Sequence, residues 1–120
     1  MAFQLFTAKG GKYTPQVTLN NSGGFSLSSG MHHRYGLDRY AGVKLYFDPD
    51  TRRVGIQPVE QEGEGVFRLK KRDGEKGAFF SARSFLQAYN LDPKKYHGRY
   101  SPEEVEDDQF GRMFVIRIPE

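Results

Sequence analysis

The sequence predicts an α+β domain that is mostly β: a compact barrel or sandwich of short antiparallel strands with two short helices. Apolar and polar residues alternate over short runs between turn-forming clusters, a pattern typical of strands. Residues 24–38 align without a gap with residues 78–92, and such self-similarity suggests a duplicated supersecondary unit. We therefore expect two intertwined, pseudo-symmetric repeats.

The aligned stretches define the predicted organisation of the chain. Repeat 1 covers about residues 16–60 and repeat 2 about residues 66–120, inside a single domain over residues 1–120. The acidic linker 61–65 separates the repeats, and residues 1–15 add an N-terminal strand and turn. The alignment predicts equivalent buried positions for three pairs: Phe25 with Phe79, Met31 with Phe85, and Leu37 with Leu91.

The first half of repeat 1 predicts a hairpin followed by a short helix. Strands over 16–20 and 25–28 flank a turn rich in Asn and Gly, residues that accept left-handed backbone. Residues 29–35 fit a helix with a serine at 28 or 29 as its N-cap and Gly36 after its last turn.

The second half of repeat 1 carries the strongest hairpin signal. Apolar residues alternate with polar ones over 43–47 and again over 54–58, on either side of the turn cluster 48–51. Repeat 2 then predicts strands over 66–69, 78–81 and 111–118 and a helix over 82–89, which Asp92-Pro93 ends. Because residues 100–105 contain Pro102 and several carboxylates, we expect an edge strand or a loop there.

Composition limits the class of protein. The chain has no cysteine, which excludes disulfide frameworks, thiolate metal sites and cysteine nucleophiles. The opening residues lack the apolar run of a signal peptide, and no stretch has the ~18 apolar residues of a membrane span. We therefore expect a cytoplasmic protein with no membrane contact. The formal net charge of +3 permits contact with polyanions without requiring it.

Motifs for catalysis and cofactor binding are lacking in the sequence. No serine lies in a G-x-S-x-G elbow, and the glycine-rich turns do not fit a phosphate-loop frame. His32 and His33 are adjacent, and neighbours on a helix point about 100° apart, so they cannot hold one metal ion together. Residues 103–108 lack the alternation of a calcium loop and predict a solvated acidic loop. We expect no enzyme activity, no metal and no cofactor.

A recurring order of apolar residues and glycines runs from residue 17 to residue 59: Gly23, Phe25, Leu27, Met31, Tyr35-Gly36-Leu37, residues 43–47 and residues 54–56. This pattern resembles the AbrB/MazE/SpoVT-like swapped-hairpin family of DNA-binding domains. In that family a hairpin, a short helix and a closing hairpin make half of a barrel, which a second copy completes. The resemblance implies a monomeric pseudo-dimer or a homodimer.

The resemblance also implies DNA binding by a transcription-regulator-like protein. Gly24 and Ala78 stand where the family commonly has Arg or Lys, and His32-His33 and Leu86-Gln87 stand where it has helix arginines. The densest basic stretch is the hairpin turn 68–76, which can project charge onto phosphates. The predicted nucleic-acid-binding residues, on this turn and on the helix N-terminal surface, are Arg34, Arg39, Arg68, Lys70, Lys71, Arg72, Lys76 and Arg83.

Two other functions stay open at the level of sequence. A protein-interaction module of the antitoxin or scaffold type, with no DNA contact, would expose aromatic rather than basic patches. A single-stranded DNA binder similar to the PC4-type coactivators fits Lys70-Lys71-Arg72 followed by a strand and a helix. The basic turn is also compatible with a purely structural role, in which its solvated charges keep an edge strand from pairing with another chain.

Overall fold

Ten short strands form two five-stranded antiparallel sheets in the computed structural model, which describes residues 15–71 and 77–119. The first sheet has the order β6-β7-β2-β1-β8, and the second has the order β5-β3-β4-β10-β9. The strands are β1 (Val17–Leu19), β2 (Gly24–Leu27), β3 (Gly42–Asp48), β4 (Arg53–Val59), β5 (Phe67–Arg68), β6 (Lys70–Lys71), β7 (Ala78–Ser81), β8 (Gly98–Tyr100), β9 (Glu103–Asp107) and β10 (Gly111–Arg117).

The mostly β, α+β class predicted from the sequence is confirmed. Of the two architectures that were expected, the closed barrel is wrong, because each sheet ends on strands that pair on one side only. β6 and β8 are the edges of the first sheet, and β5 and β9 are the edges of the second. The two sheets pack their apolar faces into a shared core.

Local sequence signals set the hairpins of repeat 1. β1 and β2 pair with Val17 opposite Leu27, and β3 and β4 pair along their full length. In the turn between β3 and β4, the Asp48 carboxylate accepts a hydrogen bond from the Asp50 N–H at 3.0 Å, which favours a tight turn. Both hairpins predicted for this half are confirmed.

The two halves of the chain meet at the centre of each sheet. β2 pairs with β7 in the first sheet, and β4 pairs with β10 in the second. Two edge pairings also join the halves, since β1 pairs with β8 and β5 pairs with the start of β3. Neither sheet could therefore form from one half of the chain alone.

The chain passes from the second sheet to the first at Leu69. β5 pairs with β3, whereas β6, one residue further on, pairs with β7. Leu69 is buried at this corner, and its N–H donates to the carbonyl of Ala41 at 3.0 Å. The strand predicted over 66–69 corresponds to β5, which the corner ends, whereas the separate strand β6 that follows was not predicted.

The acidic residues near the C-terminus form the edge strand β9. Each residue of β9 lies opposite one residue of β10, from Glu103 with Val115 to Asp107 with Gly111. The edge-strand prediction for this region is confirmed. The prediction of a solvated acidic loop over 103–108 is wrong for the residues of β9, because pairing with the apolar strand β10 keeps the backbone extended.

Three short helices lie among the described residues: α1 (Ser29–Tyr35), α2 (Arg83–Ala88) and α3 (Pro93–Tyr96). α1 agrees with the prediction, since the Ser28 hydroxyl accepts from the Met31 N–H and Gly36 ends the helix at a left-handed φ of 62°. None of the helices in residues 15–71 and 77–119 has the length and apolar character needed to cross a membrane.

α3 is the helix that the sequence analysis missed, which makes the prediction of two helices wrong. The Asp92 carboxylate accepts from the Lys94 N–H at 3.0 Å, and Pro93 occupies the first helical position. Proline suits that position because its missing N–H would have no partner there. The sequence predicts Asp92-Pro93 only as the end of the preceding helix, but these residues also start a new one.

The core joins aromatic and aliphatic side chains from both sheets. Phe25 and Phe80 face each other across β2 and β7, with ring centroids 5.4 Å apart. The prediction that Phe79 is buried is wrong: it is 37% exposed, because its neighbours Ala78 and Phe80 point inward and side chains alternate along a strand. The gapless alignment therefore fails by one residue here. The other aligned positions are buried as predicted: Phe25, Met31, Leu37, Phe85 and Leu91.

Candidate nucleic-acid interface

One face of the first sheet carries a row of side chains that crosses all five strands. Directly paired residues share a face, and the pairings give the row Lys70, Phe79, Ser26, Thr18 and Arg99. Neighbouring strands lie ~4.8 Å apart, so the row is ~19 Å long. Alternate residues of these strands fill the core, and the row therefore faces away from it. We call these five residues the cross-strand row.

The charge on the strands of this sheet has a single sign. β1, β2, β6, β7 and β8, all within the described residues, contain no Asp or Glu. Lys70 and Arg99 are exposed and lie on the two edge strands. A surface with one sign of charge attracts counterions of the opposite sign, so this face favours polyanions.

Phe79 places an aromatic ring beside the lysine at one end of the row. The ring is partly exposed, and the Lys70 Nζ lies 5.8 Å from its centroid, within the range of a cation–π contact. At the centre of the row, the Ser26 hydroxyl accepts a hydrogen bond from the Asn20 side-chain amide at 3.1 Å. The face thus combines positive charge, an apolar ring and hydroxyl groups.

Two predicted residues, Lys71 and Arg39, lie together next to the Lys70 end of the row. The Lys71 ammonium donates to the backbone carbonyls of Asp38 and Tyr40, which tie β6 to the 3₁₀ turn Leu37–Arg39. The Arg39 guanidinium donates to the Tyr40 hydroxyl at 2.7 Å. Lys71 therefore anchors the edge strand as well as adding charge to it.

Arg68 does not belong to the first sheet, although it lies only two residues before Lys70. It sits on β5 at the edge of the second sheet, and its Nε is 3.6 Å from the Glu62 carboxylate. The corner of the chain thus separates residues that the sequence analysis grouped in one basic turn. Two further predicted residues, Arg72 and Lys76, lie outside the described part of the chain.

Arg83 and Arg34 lie on the two longer helices. Arg83 is the first residue of α2, and its Nε donates to the Ser22 carbonyl at 3.0 Å, so it holds the turn between β1 and β2. Arg34 is exposed on α1, with its guanidinium 5.7 Å from the ring centroid of Tyr35. Neither residue lies on the strands of the cross-strand row.

Arg99 is the basic residue of the row that the predicted site omitted. Its strand, β8, has three residues and lies opposite β1. The next residue, Tyr100, fixes β8 in place, because its ring packs against the core and its hydroxyl donates to the carbonyl of Tyr96. Burial, with a smaller effect of Tyr96, raises the pKa of Tyr100, so this donor stays protonated at neutral pH. The alternation of outward Arg99 and inward Tyr100 was the available sequence signal.

His32 is a buried polar residue of α1. It is 7% exposed, its Nε2 lies 3.7 Å from the exposed Asp38 carboxylate, and its Nδ1 has no hydrogen-bond partner in the described residues. The side chain of His33 lies outside the described set. Within residues 15–71 and 77–119, no three His, Asp or Glu side chains come close enough together to hold a metal ion.

Comparison of the chain with protein-family models, curated proteins and solved structures gives no significant match. The resemblance to swapped-hairpin DNA-binding domains therefore stays a prediction.

Proposed function

We propose that this chain is a small nucleic-acid-binding protein that binds through the cross-strand row and through Lys71 and Arg39 beside it, which we call the basic edge. The observation that carries the proposal is the first sheet, with a basic residue at each edge, an exposed Phe79 and no carboxylate on its strands. Lys and Arg contacts to phosphate release counterions and supply affinity that is independent of sequence. In agreement with the sequence predictions, we propose DNA as the partner and the cytoplasm as the location of the protein.

A single strand fits this face better than a duplex. The major groove of B-DNA is about 12 Å wide and admits a helix or a two-stranded ribbon, whereas the cross-strand row is ~19 Å long and flat. An exposed aromatic ring on an open sheet is a surface on which unpaired bases stack. We therefore favour single-stranded DNA over the double-stranded, transcription-regulator-like alternative.

Each residue of the row has a role in this proposal. Phe79 stacks against a base, Lys70 and Arg99 contact phosphates on either side, and Ser26 and Thr18 offer hydroxyls for hydrogen bonds between them. Base stacking on an aromatic side chain contributes ~1–3 kcal/mol and tolerates any base. The expected binding is therefore sequence-tolerant and sensitive to salt.

The proposed surface includes five more of the residues predicted from the sequence. Lys71 and Arg39 form the basic edge, Arg72 and Lys76 follow in the chain, and Arg83 begins the helix after β7. The surface leaves out Arg68, because Glu62 faces it at the edge of the second sheet, and Arg34, because it lies over Tyr35, whose ring packs on Phe114 of β10 in the second sheet.

We also propose that the fold is a duplicated swapped hairpin that makes the monomer a pseudo-dimer. The strand pairings support this, because two couples are related: β1–β2 with β6–β7 in the first sheet, and β3–β4 with β9–β10 in the second. The pairs β2–β7 and β4–β10 lie at the centres of the sheets. α1 begins two residues after β2, as α2 does after β7. Light scattering should give the mass of one chain.

Fluorescence anisotropy with a labelled oligothymidine and with a duplex of equal length, each at two salt concentrations, tests the nucleic-acid proposal. We expect tighter binding of the single strand. Lys70→Ala and Arg99→Ala should each lower the log-log salt slope by roughly 0.7, and Phe79→Ala should weaken binding by ~1–3 kcal/mol with an unchanged slope. Lys44→Ala is the matched control, because Lys44 is also exposed but lies on the second sheet.

Each alternative predicts a different result. Tighter binding of the duplex would favour the alternative in which the basic turn binds double-stranded DNA. An equal loss with Lys44→Ala would mean that total charge, and not the row, determines affinity. If no salt-dependent affinity tighter than ~10⁻⁴ M is found, the nucleic-acid proposal fails and the protein-interaction module takes its place.

A further inference from the structure

The outer face of the second sheet contains a groove of about 200 Å³. Gly55 lies in its floor, where the absence of a side chain leaves space on β4. The Met113 Sδ fills part of that space, since a Cβ at position 55 would lie 2.5 Å from it. Val105 and Val115 add apolar surface. The groove is therefore an apolar depression on a sheet face that points away from the core.

One wall of the groove is an aromatic pair held by hydrogen bonds. The rings of Tyr46 and Phe110 have centroids 4.5 Å apart. The Tyr46 hydroxyl donates to the Gln57 Oε1 at 2.8 Å, and the Gln57 Nε2 donates to the carbonyls of Phe110 and Arg112 at 2.6 and 3.2 Å. Phe110 is nevertheless 46% exposed. A wall held in place before binding loses little entropy when a ligand arrives.

The charges at the rim of the groove are divided between its two sides. Asp107 lines the groove, and Glu103 lies on the same face of β9 as Val105. On the opposite side, Asp48 lies directly across from Arg53, and Arg53 pairs with Arg117 of β10, so the charge of Asp48 is offset there. Asp107 and Glu103 leave a negative wall on the β9 side.

We propose that this groove docks a basic peptide segment of a protein partner, with one aromatic or branched aliphatic side chain of the peptide inserted between Tyr46 and Val105. Small-molecule sites usually have volumes of ~300–1,000 Å³, so a groove of about 200 Å³ fits a single side chain better. Lysine or arginine beside that anchor complements Asp107 and Glu103 and selects against acidic segments. The site is separate from the cross-strand row, and the inference does not depend on nucleic-acid binding.

A short synthetic peptide with one phenylalanine between pairs of lysines tests the docking proposal on the full chain. Isothermal titration gives the affinity, and amide NMR shifts locate the site. Two control peptides replace the phenylalanine by glycine or the lysines by glutamates, and both should bind at least about fivefold more weakly. Shifts should cluster at Gly55, Phe110 and Met113 and leave Ser26 and Phe79 unchanged.

Two variants separate the anchor from the charge. Phe110→Ala should weaken binding of the lysine-phenylalanine peptide about five- to tenfold, as expected for loss of an aromatic contact at an interface. Phe79→Ala is its control, since Phe79 is also an exposed aromatic residue but lies on the first sheet, and it should leave the peptide affinity unchanged. Asp107→Asn keeps an oxygen for the Gln109 and Phe110 N–H groups that Asp107 now binds, so it should lower affinity by removing charge alone.

Other results overturn the proposal. Equal binding of the glycine and phenylalanine peptides would show that only surface charge acts. Shifts confined to the first sheet would place the peptide elsewhere. Self-association that Phe110→Ala abolishes would make a second copy of this chain the occupant instead of a basic peptide.

Discussion

The outer faces of the two sheets differ in charge and shape, although both sheets contribute to one core. The strands of the first sheet have no carboxylate and present an exposed Phe79 among Lys70 and Arg99. The strands of the second sheet carry five acidic and five basic residues, with four of the acids on the edge strand β9, and this sheet has a groove with one aromatic wall. A net charge of only +3 therefore conceals a separation of charge between the basic first sheet and the acidic strand β9.

The separation arises at the corners of the chain. Arg68 and Lys70 are two residues apart but lie on different sheets, and Arg99 and Glu103, which are four residues apart, also lie on different sheets. Each corner thus directs neighbouring charges to opposite sides of the core. A polyanion is attracted to the first sheet and repelled by β9, which suits a protein that holds nucleic acid on one side and a basic segment of a partner on the other.

The largest expected effect is a loss of stability, and it distinguishes a core residue of β7 from an outward-facing residue of the same strand. Phe80→Ala should lower the free energy of unfolding by ~3–5 kcal/mol, because it removes a fully buried ring and leaves a cavity beside Phe25. Phe79→Ala, on the adjacent residue of the same strand, should cost less than ~1 kcal/mol. Urea denaturation of both variants measures the difference. Similar losses would mean that the faces of β7 are assigned wrongly, and the cross-strand row with them.

The next largest effect is a gain in stability, expected from a substitution in α1, which belongs to neither sheet. His32→Leu should raise the free energy of unfolding by ~1–2 kcal/mol, because a buried Nδ1 without a partner costs about that much. α2 has a buried leucine, Leu86, at the aligned position, so the exchange suits a helix of this kind. His97→Leu, at an exposed site, is the control in the same thermal melts.

Nucleic-acid and peptide affinities should stay unchanged in His32→Leu, since it alters stability alone. If His32→Leu destabilised the protein instead, the histidine would have to make contacts that the separation of 3.7 Å from Asp38 does not provide. That outcome would link α1 to the basic edge, because Lys71 binds the Asp38 carbonyl.

Features set by local sequence were predictable, and α1 is the clearest case. Ser28 as N-cap and Gly36 in the left-handed conformation fix both ends of the helix within a few residues, so its predicted bounds agree with the structure. The turn between β3 and β4 was likewise fixed by its own residues. The orientation of Phe79 was not predictable in this way, because a shift of one residue turns a side chain to the other face of its strand. Phe79 has apolar neighbours on both sides, so the alternation of apolar and polar residues that sets the register is missing there.

The candidate site depended on pairings between distant residues, and these were not readable from the sequence. Lys70 and Arg99 belong to one row only because β6-β7-β2-β1-β8 is the strand order. The density of basic residues along the chain points to Arg68 and passes over Arg99, because density does not show which strands are neighbours. The groove was missed for the same reason, since Tyr46 comes from the β3–β4 hairpin, whereas Val105 and Phe110 come from the β9–β10 hairpin.

The smallest expected effect is the response of the second sheet to acid. A hydrogen bond from the Thr51 hydroxyl, helped by backbone N–H groups of Asp50 and Thr51 and by the charge of Arg53, lowers the pKa of Asp48 below its ordinary value of 3.8. The folded protein therefore binds fewer protons at this site than the unfolded chain, so the stabilisation is complete above pH ~4 and is lost as the pH falls through the lowered pKa. Asp48→Asn keeps an oxygen for the Asp50 N–H but has no charge to lose.

The melting temperature of the unsubstituted protein should thus exceed that of Asp48→Asn at pH 6, and the gap should close as the pH falls from ~4 towards ~2 in a series of thermal melts. Because the strands of the first sheet have no carboxylate, Asp48→Asn should leave oligothymidine binding at neutral pH unaltered. A gap of constant size across this range would show that the geometry of the β3–β4 turn, and not the charge of Asp48, stabilises it. A change in oligothymidine affinity would show that the charges of the two faces act on each other through the core, against the separation inferred from their strands.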